Sequence, residues 1–438
     1  MKAEFFELAG RLERALQAGE VLLLGLDAER SDFVRFNRGR VRQAGSVEQR
    51  TLEVRLLRAG RQASATLELG GGGEADFALA RDALARLREA LDGLPEDPWL
   101  LINEVPASSE SERRGVLPAA EAVVEQVVDA AQGRDLVGIY AGGTILRGFA
   151  NSLGQRNWHS VDSFNFDWSL HGPGGAVKAA TAGFEWEESA LVEKLDAASR
   201  ELARLGVAPR ALAPGEVRAY LAPRALEELM GLLAWDGFSA RARATKQSPL
   251  LRMAHGALLS PAVTIVEHSA EGIAPSFQED GFVKPPALTL IEGGRLGAAL
   301  VAPRTAKEYG LEPNGAEAGE SPESLELAPG TLPAQDVLAA LDTGLYISNL
   351  WYLNYSDRAA ARITGMTRFA TFWVEGGRIV APVGAMRFDD SLYRMLGENL
   401  EALTRERELL LDPSTYEGRS TASARLPGAL LRALRFTL

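Results

Sequence analysis

Apolar residues at Phe5, Leu8, Leu12 and Leu16 recur every three to four positions, which predicts a helix with one buried face. Positions 21–26 form a short apolar run and read as a strand. The period then changes. Segments 32–37, 41–43, 51–58 and 62–68 alternate apolar with polar side chains, with turn signals at Asn37-Arg38-Gly39 and Ala59-Gly60. Alternation across short turns predicts an antiparallel meander with one face on a core. Four consecutive glycines at 70–73 read as a flexible connection, and helical spacing returns over 75–91. Together these segments make one α+β layer.

An amphipathic helix follows at 119–131. Residues 135–186 set Gly, Asn, Ser and aromatics between short β-like runs, and 187–205 is helical with a charged face toward solvent. Two prolines and little pattern at 207–214 mark the domain boundary, giving an N-terminal domain at 1–210 and a C-terminal domain at 211–438. The second half opens with a strand at 216–221. Pro223 then suits the first turn of a helix over 224–235. Strands are expected at 262–267, 287–291, 297–301, 344–349, 369–375 and 378–382, the last two joined by Gly376-Gly377. Residues 311–332, rich in Glu, Pro, Gly and Ser, read as an exposed loop or a partly disordered insert. A helix over 389–403 would be capped by Asp389 or Asp390. No internal repeat is present. The fold class expected is α+β in two domains: an N-terminal antiparallel sheet with helices, and a β-rich C-terminal domain.

The chain has 438 residues, 46% of them hydrophobic and 24% charged, enough for a large core. A net charge of −12 argues against nucleic acid as a partner. Cysteine is absent, which excludes disulfides, thiolate metal sites and thiol catalysis and suits a reducing cytoplasm. Glu4, Glu7 and Glu13 interrupt the apolar character of the N-terminus, contrary to a signal peptide. No apolar run is long enough to cross a bilayer. The expectation is a soluble, cytoplasmic protein without a membrane partner.

Chemistry-bearing residues are sparse. The four histidines are His159, His171, His255 and His268, whereas a zinc site needs three or four converging ligands. Glu267 and His268 are adjacent, so on a strand they point to opposite faces. His159 and His171 lie in loop-like sequence near Asp162 and Asp167; hydrogen bonding is the simpler reading and a metal site the minor one. Ser152 as a nucleophile would need a base such as His159 within reach, and no GxSxG elbow is present, so Asn151-Ser152 reads as a turn. Gly142-Gly143 and the glycines at 172–175 lack a Walker lysine or Rossmann spacing. Phe164, Phe166 and Trp168 alternate with Asn165 and Asp167 and share one strand face, for sheet packing or, alternatively, an interface or peptide-binding wall.

Three segments, GGTILRGFANSLGQRNWHS at 142–160, GLYISNLWYLNYSD at 344–357 and ITGMTRFATFWVEGGRIVAPVGAMRFDDSL at 363–392, carry a resemblance. In order and spacing they resemble the TldD/PmbA (TldE) family of two-subunit zinc peptidases, from about residue 30 to the end. In that family's catalytic subunit, the helix matching RALEELMGLLAWDGF at 224–238 bears HExxxH. The best ungapped placement puts Leu233 and Ala234 at the first His and the Glu, and Phe238 at the second His. None of these side chains binds zinc or moves a proton. The catalytic subunit also uses a Cys ligand, and this chain has none.

The resemblance therefore implies a non-catalytic TldE/PmbA-like subunit, without a cofactor of its own. Its partner would be a TldD-like catalytic subunit that holds the zinc, and the pair would act in proteolysis of small or unfolded peptides. It also implies substrate or partner contacts in the loop after the 344–349 strand, at Asn349, Trp351, Tyr352, Asn354 and Tyr355. Arg362, Thr364 and Arg368 would add hydrogen bonds to a peptide carbonyl or carboxylate. Two alternatives stay open: a stand-alone homodimeric peptide-binding or regulatory protein, and an independent hydrolase using His159 or His171.

Overall fold

The computed structural model describes residues 1–437. Helix α1 (Lys2–Glu13) leads into β1 (Glu20–Asn37), β2 (Arg40–Arg58) and β3 (Arg61–Glu68). Both hairpins turn on two residues with positive φ: Arg38 and Gly39 at 53° and 66°, Ala59 and Gly60 at 50° and 73°. Turns of that kind match the twist of the strands they join. The expected segments 21–26 and 32–37 are one strand, as are 41–43 and 51–58. β1 is hydrogen-bonded on both edges, to β2 and to a later strand, so the ladder continues where side-chain alternation lapses.

The glycines at 70–73 are tied down rather than flexible. The Asp76 carboxylate accepts from Gly70 N at 2.9 Å and Gly72 N at 2.6 Å, and α2 (Gly73–Leu91) starts within the run. Helices α1 and α2 cover one face of the meander, packing Phe5, Leu12, Leu84 and Leu87 on Leu24, Leu52, Val54 and Leu56.

After β4 (Ser109–Arg113) and α3 (Ala120–Ala130) come β5 (Asp135–Asn151), β6 (Arg156–Gly172) and β7 (Gly175–Gly183), then α4 (Glu188–Leu205). The first sheet runs β3-β2-β1-β5-β6-β4, with β7 also on β6. Where short runs were expected, β5 and β6 are continuous strands of 17 residues each. The glycines inside β5 serve packing: a Cβ on Gly143 would collide with the Arg30 carbonyl. Phe164, Phe166 and Trp168 are buried on one face, among Phe36, Tyr140 and residues of α3 and α4.

The second sheet uses β8 (Gly215–Leu221), β9 (Ile265–Glu267), β10 (Leu288–Glu292), β11 (Arg295–Leu296), β12 (Ser324–Leu327) and β13 (Gly344–Asp357). It continues with β14 (Arg362–Glu375), β15 (Arg378–Pro382), β16 (Arg387–Ser391), β17 (Leu400–Leu411) and β18 (Ser423–Phe436). The order is β11-β10-β9-β12-β18-β16-β14-β13-β8, with β15 on β14 and β17 on β18. Because β18 also pairs with β8, strands β8, β13, β14, β16 and β18 close on themselves. Closure leaves no free edge within that ring. Helix α5 (Pro223–Ala234) packs Leu226, Leu229 and Leu233 into the core that these strands share. The molecule is thus α+β, with two sheets drawn from the two halves of the chain.

Three expectations fail in this half. Residues 389–403 are not a helix: β16 ends in a single π-turn at Arg394–Glu398, and β17 begins at Leu400. Asp390 is no cap for a long helix; its carboxylate accepts from Ser391 N at 2.8 Å and Arg435 N at 3.1 Å, so it binds β18. Residues 311–332 are no exposed insert. Glu320 is fully buried, accepting from Ser239 Oγ at 2.5 Å and from the Arg241 and Ala302 amides at 2.9 Å each, and β12 lies inside the sheet. Buried amides recruit that carboxylate, whereas composition reads it as solvated. Residues 297–301 are not a strand: Gly297 and Ala298 donate to Leu290 and Thr289 of β10, and Leu300 makes an isolated bridge to Ser239.

Candidate functional site

Pro223 opens α5 at its first turn, where its missing N–H costs nothing. One stripe of the helix, Ala225, Leu226, Leu229, Met230, Leu232 and Leu233, is buried. Arg224, Glu227 and Glu228 stand off that stripe, and Arg224 and Glu227 are three residues apart and so adjacent on the surface. These charged side chains meet the other sheet. Arg224 Nη2 donates to Asp167 Oδ2 on β6 at 2.6 Å, and Nη1 to Glu227 Oε2 at 3.0 Å. The second Asp167 oxygen takes the Lys178 ammonium from β7. Beside them, Lys194 on α4 pairs with Glu408 on β17 at 2.8 Å. Burial pushes the Glu227 carboxyl up to about 7 against the pull of Arg224. Glu228 beside it is exposed. The seam between the sheets is therefore a network of paired charges holding one carboxyl poised to titrate near neutrality.

The positions that the resemblance aligned with HExxxH do not face this seam. Helix α5 ends at Ala234, and Trp235 is already extended at φ −70° and ψ 96°. Leu233 and Phe238 are wholly buried in the core of the second sheet, and Ala234 is half-buried at the helix end. Phe238 lies beyond the end of the helix.

The expected contact residues fall into two groups. β13 runs on to Asp357, so they sit on a strand rather than in a loop. Register shifts between Ile347/Asn349 and Trp351/Asn354 re-aim the side chains. Trp351 and Tyr352 are exposed, Tyr352 with φ 57°, and the Arg368 guanidinium lies 4.0 Å from the centre of the Trp351 ring. Asn349 is buried and accepts from Ser348 Oγ at 2.8 Å, while Tyr355 donates to the Leu232 carbonyl at 2.9 Å. Asn354 pairs in register with Thr364, whose hydroxyl accepts from Arg387, and Arg362 lies exposed at the start of β14. Trp351, Tyr352 and Arg368 lie together, and Asn349 and Tyr355 make their hydrogen bonds elsewhere.

The histidines are dispersed. His159 donates from Nε2 to the Ile273 carbonyl at 3.1 Å, so in its neutral form Nδ1 accepts from Ser111 Oγ at 2.8 Å. Burial pulls its pKa down to about 4. His171 meets Ser169 at 3.0 Å, and His268 lies 3.4 Å from Glu326. Ser152 Oγ accepts from Leu22 N at 3.0 Å and Asn151 Oδ1 from the Leu153 and Gln155 amides, which is turn chemistry. Among the described residues, no three His, Cys, Asp or Glu side chains are placed to hold a metal ion. A zinc ion does not fit the α5 seam either: the Arg224 guanidinium sits between its carboxylates, and neither imidazole nor thiolate is at hand. Sequence reasoning passed over Arg224, Glu227 and Lys178. The signal was present in Arg224 and Glu227 at helical spacing.

The family model of the PmbA/TldA metallopeptidase C-terminal domain matches residues 214–437. Three solved structures share the fold over nearly the whole chain. TldE from Thermococcus kodakarensis superposes with a TM-score of 0.80 at 15% identity, covering 99% of this chain and 100% of its own. A proposed DNA gyrase modulator from Thermotoga maritima gives 0.77 at 17% identity, over 99% and 100%. Another from Bacteroides thetaiotaomicron gives 0.75 at 16% identity, over 99% and 98%. No curated protein matches at the sequence level. Among the described residues, no helix is long and apolar enough to cross a membrane. With more than half its length under the family model, the chain belongs to the PmbA/TldD family.

Proposed function

We propose that this chain is a non-catalytic, TldE/PmbA-like subunit of a cytoplasmic TldD/TldE-type metallopeptidase. It completes a peptide cavity around the zinc of a TldD-like partner. The observation that carries the reading is that Leu233, Ala234 and Phe238, where the resemblance places the HExxxH side chains, are apolar. The absence of cysteine from the sequence supports the same assignment and suits a reducing compartment. The exposed surface of Trp351, Tyr352 and Arg368 offers aromatic and guanidinium contacts of the kind that dominate protein interfaces. Co-expression with the TldD-like subunit of the same cell tests the reading. A defined complex on sizing is expected, weakened by the double substitution Trp351→Ala and Tyr352→Ala. A stable homodimer that ignores the TldD-like chain would favour the stand-alone peptide-binding protein instead.

A further inference from the structure

Arg368 and Phe369 are neighbours in β14, and on a regular strand their side chains would point to opposite faces. Here they meet. The β13–β14 register passes from Asn349↔Arg368 to Ile347↔Thr371, so Phe369 and Ala370 stand opposite Ser348 alone. Phe369 takes up the extra residue with φ 58°, a conformation that a residue with a Cβ rarely adopts. The bulge brings the Arg368 guanidinium to 4.9 Å from the centre of the Phe369 ring and 4.0 Å from that of Trp351. Backbone of this kind persists only where its surroundings hold it, and it clusters at binding sites.

Two features select what this place takes. Arg368 is half-buried and, among the described residues, makes no ion pair or side-chain hydrogen bond, so its planar fork of donors is free. Glu228 of α5, whose charge Arg368 partly offsets, is exposed and forms no ion pair with it. A guanidinium held flat by stacking suits a carboxylate, which accepts two parallel hydrogen bonds. The second feature is a cavity of about 880 Å³ that has Phe369 in its wall. Leu205, Pro209, Val383 and Ala385 also line it, its one ionisable side chain is His171, and among the described residues no carboxylate faces it. That volume falls within the range of small-ligand sites, about 300–1,000 Å³. Phe369 thus joins a free guanidinium to an apolar cavity, and the last residue of a peptide presents the matching pair, a carboxylate and a side chain.

We propose that Arg368, held against Trp351 and Phe369, binds the C-terminal carboxylate of a peptide whose last side chain, large and apolar, enters the adjoining cavity. The inference rests on the reading above that this chain borders a peptide cavity, and it assigns Arg368 to the peptide rather than to the partner subunit.

The test is fluorescence anisotropy on the full chain with an N-terminally labelled tetrapeptide that ends in phenylalanine and carries a free carboxylate. Saturable binding is expected. The same peptide with a C-terminal amide is expected to bind about tenfold more weakly or worse, and a free acid ending in glycine to lose about as much. Both arms leave the protein unaltered. Arg368→Gln is expected to bind the acid no better than the amide, a loss of discrimination that general destabilisation would not produce. Equal binding of acid and amide by the parent, equal binding of the glycine-ended peptide, discrimination kept by Arg368→Gln, or no binding at millimolar peptide would each overturn the proposal. Complex formation with a TldD-like subunit, followed by sizing, reports separately on the subunit reading, because the peptide titration uses this chain alone.

Discussion

Arg224 Nη2 lies 2.6 Å from Asp167 Oδ2, and this pair joins the first turn of α5 to β6 of the other sheet. Both side chains are 11% exposed, so the pair is largely removed from water. Removing Arg224 leaves Asp167 held by Lys178 alone and Glu227 without its guanidinium partner. Arg224→Met is expected to lower stability by about 1–3 kcal/mol. Replacing both, Arg224→Met with Asp167→Leu, is expected to cost less than the single change. Urea unfolding of the three proteins measures the difference.

Glu227 sets a pH dependence of defined sign. Its carboxyl is raised from an ordinary 4.5 to about 7, so the folded chain binds a proton that the unfolded chain has lost. Its contribution is full below pH 4.5 and is lost as pH rises through 7. Glu227→Gln is expected to flatten that decline and to stabilise the chain by about 1–3 kcal/mol at pH 8. Melting temperatures of the two proteins between pH 4.5 and 8 check it.

His159 works in the opposite direction. Burial lowers its pKa from 6.5 to about 4, so the unfolded chain takes the proton first as pH falls. Stability is expected to drop between pH 6.5 and 4, and His159→Gln to reduce that slope. The ring bridges Ser111 in the first half and Ile273 in the second, so the loss should be felt by both sheets. Chemical denaturation at pH 4.5 and 7 gives the slope.

Arg419 is a second tie between the halves. It sits between β17 and β18, 7% exposed, and inserts into the first sheet. Nη2 donates to Ser163 O at 2.8 Å and Ser163 Oγ at 2.7 Å, and Nη1 to Gly143 O at 3.1 Å. Arg419→Met strands those buried acceptors at a cost of about 2–4 kcal/mol. Calorimetry is expected to show a broader or more divided transition for the variant than for the parent.

The sequence made some of this architecture legible and hid the rest for physical reasons. Period and turn chemistry exposed α1, α2, α4, α5 and the hairpins at Asn37-Arg38-Gly39 and Gly376-Gly377, since those signals are local. The lengths of β5 and β6 were hidden because their continuity comes from hydrogen bonds to neighbouring strands, with glycines where β5 passes tightly. Glu320 and Asp390 misled because each satisfies backbone amides far away in sequence, so a charge that reads as solvated is buried. Of the residues singled out in the sequence, Trp351 and Arg368 meet across β13 and β14, while the seam at Arg224 draws Asp167 from the other sheet, a partner that local spacing does not announce.

The subunit assignment is tested most directly by zinc content and peptidase activity, measured on the purified chain alone and after mixing with a TldD-like subunit from the same cell. The account predicts no stoichiometric zinc and no cleavage by this chain alone, and a defined complex that cleaves unfolded peptides on mixing. Bound zinc together with cleavage by the chain alone would contradict it.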